Sequence, residues 1–363
     1  MVITVNTDVP YKVIIENGVI SRVGEIISSM YKPSTKIMLI SESNVFPLYG
    51  EKVLTSILKA GFTANYFVFE AGEEHKQMET VMNMYKALGD GGYTRTDLIV
   101  TLGGGVAGDM GGFAAATFLR GMDFIQIPTS LLAQVDASVG GKTGIDMPFG
   151  KNLVGAFHQP RAVITDPECL KTLPKYYVID GLGEVAKYGA IWDEKLFADL
   201  ESGEALRNLE NTIYRCVECK RQLVEEDTND KGRRMILNFG HTFGHALEKL
   251  HNFSGLSHGR AVAIGMVKVT KISEALGLTE EGTAERLEKL VKKLELPTDD
   301  PNFDLETIID ATALDKKSIG RNLNLIVIPK IGEASIYKTE RNFLVLKCKI
   351  IEEQRSRHAK AQA

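Results

Sequence analysis

The segment RRMILNFGHTFGHALEKLH, residues 233–251, concentrates the side chains best suited to chemistry. Arg234, Asn238, His241 and His245 recur at i, i+4, i+7 and i+11, which on one continuous α-helix is a single stripe. The opposite positions, Ile236, Leu237, Phe243 and Leu247, are apolar, and Gly240 and Gly244 lie beside the stripe. A guanidinium, an amide and two imidazoles are expensive to bury unless they meet partners. Two histidines one turn apart point to a shared divalent metal, but no Glu follows the first, so metalloprotease chemistry is not supported. Further ligand candidates are His258 in SHGRAVAIGM and Glu184 in GLGEVAKYGA, where Lys187 follows one turn later. One carboxylate and two imidazoles suit zinc with an open position for a substrate oxygen. A third imidazole is then available for acid–base work. Spacing alone leaves open which histidine is spared. His75, His158, His251 and His358 are ungrouped and read as surface or structural residues.

A second signal is Gly103, Gly105 and Gly108, a GxGxxG between the strand-like DLIVTL and a helix of small residues. In that context backbone N–H groups at the positive end of the helix can face a pyrophosphate. The motif does not follow the first strand, and no strand-end acid stands at the usual distance beyond it. The ribose contact is therefore expected from Glu42 or Asn44 in SESN, at the end of an earlier strand. Asp109 would disfavour a phosphate and reads as a cap or a contact on the nicotinamide side. A third signal is SLLAQVDASVGGKTGIDMPFGKN, a glycine-rich loop carrying Lys142 and Lys151. With Lys187, Lys220, Arg234 and the Lys316–Lys317 pair, it suggests a dianionic, oxygen-rich ligand.

These residues need a scaffold, and the chain of 363 residues is long enough for two domains. As far as residue 175 strand-like and helix-like segments alternate, which predicts an α/β domain with a mainly parallel, Rossmann-like sheet, and the glycine motif within it makes this the expected dinucleotide-binding domain. Residues 176–363 turn mainly helical and are expected to form a metal- and substrate-binding domain. Helical periodicity runs over 195–207, 209–226, 235–251 and 261–276, and short strands return at 323–328 and 334–337. A net charge of −4 argues against general nucleic-acid binding. No run reaches the ~20 apolar residues of a membrane helix. The first residues lack a basic segment followed by an apolar core, so no signal peptide is expected. The four cysteines, Cys169, Cys216, Cys219 and Cys348, fit a reducing cytoplasm, and the CxxC of Cys216 and Cys219 reads as two small residues on one helical face.

Taken together the motifs resemble those of the 3-dehydroquinate synthases. The match runs through GEEHK at 72–76, TLGGGVAGDMGGFAA at 101–115, LRG at 119–121 and IPTSLLAQVDASVGGKTGID at 127–146. It continues through KNLVGAFHQP at 151–160, GLGEVAKYGA at 181–190, LNFGHTFGHALE at 237–248, HGRAVAIGM at 258–266 and DKK at 315–317. The resemblance implies a homodimeric enzyme that uses NAD and one divalent metal, zinc or cobalt. It would convert 3-deoxy-D-arabino-heptulosonate 7-phosphate, a phosphorylated sugar acid, into 3-dehydroquinate and phosphate. The implied course is transient oxidation, β-elimination of phosphate, re-reduction, ring opening and an intramolecular aldol closure. By the same resemblance Glu184, His241 and His258 would bind the metal and His245 would stand in the substrate pocket. The dinucleotide would meet Glu42, Asn44, Glu73, Lys76, Gly105, Val106, Asp109, Thr129, Ser130 and Thr172, with Lys142 and Lys151 nearby. The substrate would meet Asp136, Lys142, Asn152, Lys187, Lys220, Arg234, Asn238, His245 and Lys317, with Arg120 reaching the phosphate from a neighbouring subunit. Two departures are visible: PTS stands at 128–130 where PTT is usual, and HGR at 258–260 where HGE is usual. The competing readings are another sugar phosphate cyclase and a metal-dependent, NAD-linked alcohol or glycerol dehydrogenase.

Overall fold

The computed structural model describes residues 1–252, 255–301, 303–312 and 322–340. They divide into two compact units, one of residues 1–178 with 208–230, the other of 179–207 with residues from 231 onward. A single boundary at 175 differs from this in one respect. The helix over Leu209–Glu226 belongs to the first unit, so the chain enters the second unit, returns and enters it again.

In the first unit the strands are β1 (Val2–Val5), β2 (Tyr11–Ile15), β3 (Lys36–Glu42), β4 (Thr63–Phe69), β5 (Leu98–Gly103), β6 (Asp123–Pro128), β7 (Lys142–Met147), β8 (Gly150–Phe157) and β9 (Ala162–Thr165). The helices up to residue 117 are α1 (Val23–Ser28), α2 (Glu51–Lys59), α3 (Met78–Asp90) and α4 (Gly105–Thr117). Seven strands form one sheet in the order β1-β2-β9-β6-β5-β3-β4, parallel throughout except for β1 against β2. The apolar runs that predicted buried strands are covered on both faces, as a parallel sheet requires. Along β3, Ile37 and Leu39 join a core with Val53 and Ile57 of α2, while Met38 and Ile40 join another with Met84 of α3 and Met110 of α4. That alternation is the period of two of a strand.

From β3 the chain steps outward to β4 and then returns to the other side of β3 for β5. The carboxyl ends of β3 and β5 therefore flank the point where strand order reverses, where doubly wound sheets bind their ligands. This explains why the glycine motif follows β5 and not the first strand. The expected lysine-bearing loop is in part a hairpin, β7 against β8. A Cβ on Gly155 would lie 2.2 Å from the Thr143 carbonyl oxygen. The glycines that permit this close pairing also remove the alternating apolar side chains by which a strand is read from sequence.

The second unit contains α5 (Lys175–Ile191, from its fifth residue on), α6 (Glu194–Ser202) and α7 (Glu204–Arg207), while α8 (Leu209–Glu226) lies in the first. It continues with α9 (His241–Leu250), α10 (His258–Ala275), α11 (Thr283–Lys293) and α12 (Leu305–Thr312), then the hairpin β10 (Asn322–Lys330) and β11 (Glu333–Glu340). Two expected helices are broken. The one over 195–207 divides at Gly203, at φ 87°. The one over 235–251 is a 3-10 turn at Arg233–Asn238, then Gly240 at φ 76°, then α9. Arg234 and Asn238 thus stand on a different element from His241 and His245, and the single stripe of four is corrected to two short segments.

The helices of this unit approach to backbone contact. A Cβ on Gly265 would lie 2.0 Å from the Gly240 carbonyl oxygen, joining α10 to the start of α9. A Cβ on Gly259 would lie 1.8 Å from the Asp180 carbonyl oxygen, joining α10 to α5. We expect Gly259→Ala to cost roughly 2 kcal/mol or more, because backbone must move. Gly89 in α3 has nothing within 4 Å of a built Cβ, and Gly89→Ala should stabilise by about 0.5–1 kcal/mol. Urea unfolding of the two variants beside the parent checks both signs.

Candidate active site

The glycine crossings bring three side chains of the second unit to one point. Glu184 sits in the middle of α5 with 1% of its surface exposed. His241 is the first residue of α9 and His258 the first of α10. Glu184 Oε1 stands 3.4 Å from His241 Nε2 and 3.3 Å from His258 Nε2. Glu184 Oε2 forms an ion pair with the buried Lys187. Burial alone would raise the Glu184 carboxyl. Lys187, and after it the imidazoles, outweigh burial and hold the carboxyl well below the ordinary carboxylate range. Burial lowers His241. It acts on His258 in the same direction, but there the carboxylates of Glu184 and Glu248 prevail and raise it well above the usual value.

The donor chemistry fits a divalent cation. His241 Nδ1 lies 3.1 Å from the Phe239 carbonyl oxygen and His258 Nδ1 lies 3.3 Å from Glu248 Oε2. A carbonyl and a carboxylate only accept, so each Nδ1 carries its proton and each Nε2 is turned to Glu184. Glu184 Oε1, buried, takes no hydrogen bond there. The three donor atoms lie within 4.8 Å of one another. That is a carboxylate–imidazole–imidazole set with room for a further ligand. His245, one turn along α9, is exposed and outside this trio; its ring centroid is 5.4 Å from that of His241 and 5.8 Å from that of His258. Asp180, one turn before Glu184, accepts from Ser257 Oγ at 2.6 Å and from the Arg260 backbone N–H at 3.1 Å, capping α10. The cap uses the backbone of residue 260, so arginine at that position leaves the helix start intact.

The first unit carries separate clusters. At the strand-order reversal Glu42 ends β3, and its Oε2 accepts the Asn44 backbone N–H at 2.8 Å. Beside it Gly105 and Val106 open α4, with no acidic side chain in the first turn. The Thr129 backbone N–H is held by the Gly103 carbonyl at 2.9 Å, and Ser130 Oγ accepts the Ala133 N–H at 3.3 Å. Lys76 is buried and donates to Asp109 Oδ2 at 2.7 Å and Asn152 Oδ1 at 2.6 Å, with Glu73 Oε1 at 3.9 Å. Burial lowers Lys76, but Asp109 and Glu73 outweigh it and keep it charged. Asn152 adopts φ 53° and donates its N–H to Asp146 Oδ1 at 2.7 Å. Lys220 of α8 is buried against Asp136, pairing with its carboxylate and donating to its carbonyl at 2.7 Å. Lys142 meets Asp230 Oδ2 at 2.6 Å. Thr172 meets the Tyr49 hydroxyl.

Two family models cover most of the chain: one described as 3-dehydroquinate synthase N-terminal matches residues 66–180, and one described as 3-dehydroquinate synthase C-terminal matches 181–318. The chain belongs to the 3-dehydroquinate synthase family. It is 49% identical to the 3-dehydroquinate synthase of Clostridium acetobutylicum over 91% of this chain and 94% of that protein. It is 45% identical to that of Streptococcus mutans over 90% of this chain and 93% of the other. In structure it is similar to 2-deoxy-scyllo-inosose synthase complexed with carbaglucose-6-phosphate, NAD+ and Co2+, at TM-score 0.82, 26% identity and coverage of 97% and 100%. A glycerol dehydrogenase from Schizosaccharomyces pombe shares the fold alone, at TM-score 0.66, 16% identity and coverage of 97% and 91%.

Within this 3-dehydroquinate synthase family member, the expected ligands Glu184, His241 and His258 are brought together, as are Lys76, Asp109, Glu73 and Asn152, and Lys220 with Asp136. Arg120 stands by itself past the far end of α4, at φ 68° and beside Leu119 at φ 52°. Lys316 and Lys317 lie outside the described residues. Glu248, Asp180, Asp146 and Asp230 escaped the sequence reading. Glu248 had a signal, since it follows His241 and His245 on the same helical face. Asp180 and Asp230 had none, because their partners are remote in sequence, and Asp146 meets Asn152 only through the pairing of β7 with β8. Lys220→Met should take the buried ammonium away from the Asp136 carboxylate. With 20% of that side chain exposed, the loss is expected at roughly 1–3 kcal/mol, below the cost for a fully buried pair. The urea midpoint measures it.

Proposed function

We propose that the protein is a 3-dehydroquinate synthase that converts 3-deoxy-D-arabino-heptulosonate 7-phosphate into 3-dehydroquinate and inorganic phosphate, using NAD and one divalent cation, zinc or cobalt. The observation that carries this reading is the buried convergence of Glu184 Oε1 with two Nε2 atoms, in a chain whose relatives bear that name. When bound, the cation supplies Lewis acidity to the substrate's hydroxyls and NAD supplies reversible hydride acceptance. The sugar would lose hydride at C5, which acidifies C6–H. Phosphate would then leave by β-elimination, with its own oxygen a suitable base. After hydride returns, the ring opens and an aldol step closes the carbocycle.

The chain's residues divide this work. Glu184, His241 and His258 hold the cation. Glu42 and Asn44 at the end of β3 would take a ribose, and the N–H groups of Gly105 and Val106 the pyrophosphate, with Thr129, Ser130 and Thr172 along the same ligand. Asp109, anchored by Lys76 and flanked by Glu73, suits the uncharged or cationic nicotinamide end better than a phosphate. Lys142, Lys151, Lys187, Lys220, Arg234 and Asn238 would match the carboxylate and phosphate of a dianionic substrate, with Asp136 and Asn152 as hydrogen-bond partners. Lys317 and, from a neighbouring subunit, Arg120 complete the set. His245, exposed and outside the ligand trio, would move protons. We also place the enzyme in the cytoplasm as a homodimer. No helix among the described residues is long and apolar enough to cross a membrane, and Cys169, Cys216 and Cys219 are buried free thiols.

The purified enzyme, given the heptulosonate phosphate, NAD and zinc or cobalt, should release stoichiometric phosphate with no net NADH. Net NADH without phosphate would mark a dehydrogenase and overturn the reading, and a carbocyclic product other than 3-dehydroquinate would mark another cyclase. His258→Ala should lose bound metal, read by elemental analysis; metal content equal to the parent's would refute that ligand. Light scattering tests the dimer.

A further inference from the structure

Glu248 belongs to none of the roles assigned above. It lies on α9 three residues after His245 and seven after His241, and only 3% of its surface is exposed. A buried carboxylate needs a hydrogen-bonding or charged partner. The partner in view is the His258 imidazole, which lies between two carboxylates. Its Nε2 faces Glu184 Oε1 and its Nδ1 faces Glu248 Oε2, each at 3.3 Å.

The two histidines of the proposed metal centre are thus oriented by different means. The Nδ1 of His241 is fixed by the main-chain carbonyl of Phe239, which no substitution at that position removes. The Nδ1 of His258 has only a side chain opposite it among these contacts, on another helix. His258 is the first residue of α10, and Glu248 holds its ring from α9.

We propose that Glu248 is the positioning residue of the metal centre: it keeps His258 protonated on Nδ1, with Nε2 turned toward Glu184 and His241, and so sets how tightly the centre retains its cation. The inference rests on the reading of Glu184, His241 and His258 as metal ligands. A neutral imidazole that donates from Nδ1 to a carboxylate is a better Nε2 ligand, and losing such an outer carboxylate typically weakens metal binding by about 10–100-fold. His245, Glu248 and His258 also satisfy the spacing of a second cation site, with donor atoms within 4.8 Å of one another. Filling that site together with the first would need His258 to bind metal through both nitrogens as an imidazolate, a less accessible state than the Nδ1-protonated ring.

The test is metal affinity of the full chain, measured by competition with a chromogenic chelator for zinc, with the visible spectrum of the cobalt form as a second readout. The parent should bind one equivalent. Glu248→Ala should bind about 10–100-fold more weakly and give an altered cobalt spectrum. Glu248→Gln keeps an acceptor for Nδ1–H without the charge and should lose about three- to tenfold. Parent-like affinity in Glu248→Ala, or in Glu248→Gln should the alanine variant fail to fold, overturns the positioning role, while His258→Ala losing its metal in the same series leaves the ligand assignment standing. A second equivalent in the parent that Glu248→Ala removes overturns it in favour of a second site. A parent that binds no metal removes both readings.

Discussion

The second unit is organised around one electrostatic problem, a carboxylate held at 1% exposure in the middle of a helix buried on nearly every side. Alone, Glu184 would be driven to its neutral form. Lys187 one turn later, and imidazoles from two further helices, keep it ionised. Those imidazoles reach it only because the helix backbones nearly touch. Gly183 and Gly259 have no room for a Cβ where α5 meets α10, and Gly240 and Gly265 have none where α10 meets the start of α9. Any larger residue at these crossings forces the backbones apart, and with them Glu184, His241 and His258. The same crossings let Asp180 cap α10 from α5, so the charge that needs company and the helix end that needs an acceptor are served by one helix.

The first unit meets a different constraint, the topology of its sheet. The step from β3 out to β4 and back to β5 leaves two strand ends diverging, with Glu42 on one and the glycine-opened α4 on the other. Lys76 then ties the segment before α3 to α4 and to β8 through Asp109 and Asn152. Burial raises the Asp109 carboxyl, the buried lysine at that junction opposes the rise, and the same lysine holds an asparagine at positive φ.

What sequence reasoning reached was governed by range. The buried strands announced themselves as apolar runs, and the sheet's parallel character followed from their alternation with helices. Glu184, His241 and His258, which the structure brings together, were picked out because histidine and glutamate in glycine-bearing helices are conspicuous, and the fuller list because whole motifs resembled a family. What escaped depended on contacts between remote segments. The hairpin β7–β8 lacks alternating apolar residues because its glycines serve close backbone pairing. The stripe of Arg234, Asn238, His241 and His245 had helical spacing, yet Gly240 in a left-handed conformation divides it, because it must let α10 approach. The placement of α8 in the first unit follows from Lys220 meeting Asp136 and from Asn6 donating to Glu225, pairs that span the chain.

The net charge of −4 conceals a set of paired cations. Three lysines read from sequence as anion contacts each meet a carboxylate in the structure, Lys142 with Asp230, Lys187 with Glu184 and Lys220 with Asp136, and Lys76, expected at the dinucleotide, meets Asp109. A buried ammonium without such a partner would shed its proton and its usefulness with it. A carboxylate partner keeps such a lysine charged and in place, as Asp109 and Glu73 do for Lys76. The acidic residues that make the chain mildly negative overall are therefore part of how its cations are kept ready. Composition alone could not distinguish that arrangement from a surface with no use for anions, because it counts charges without their partners.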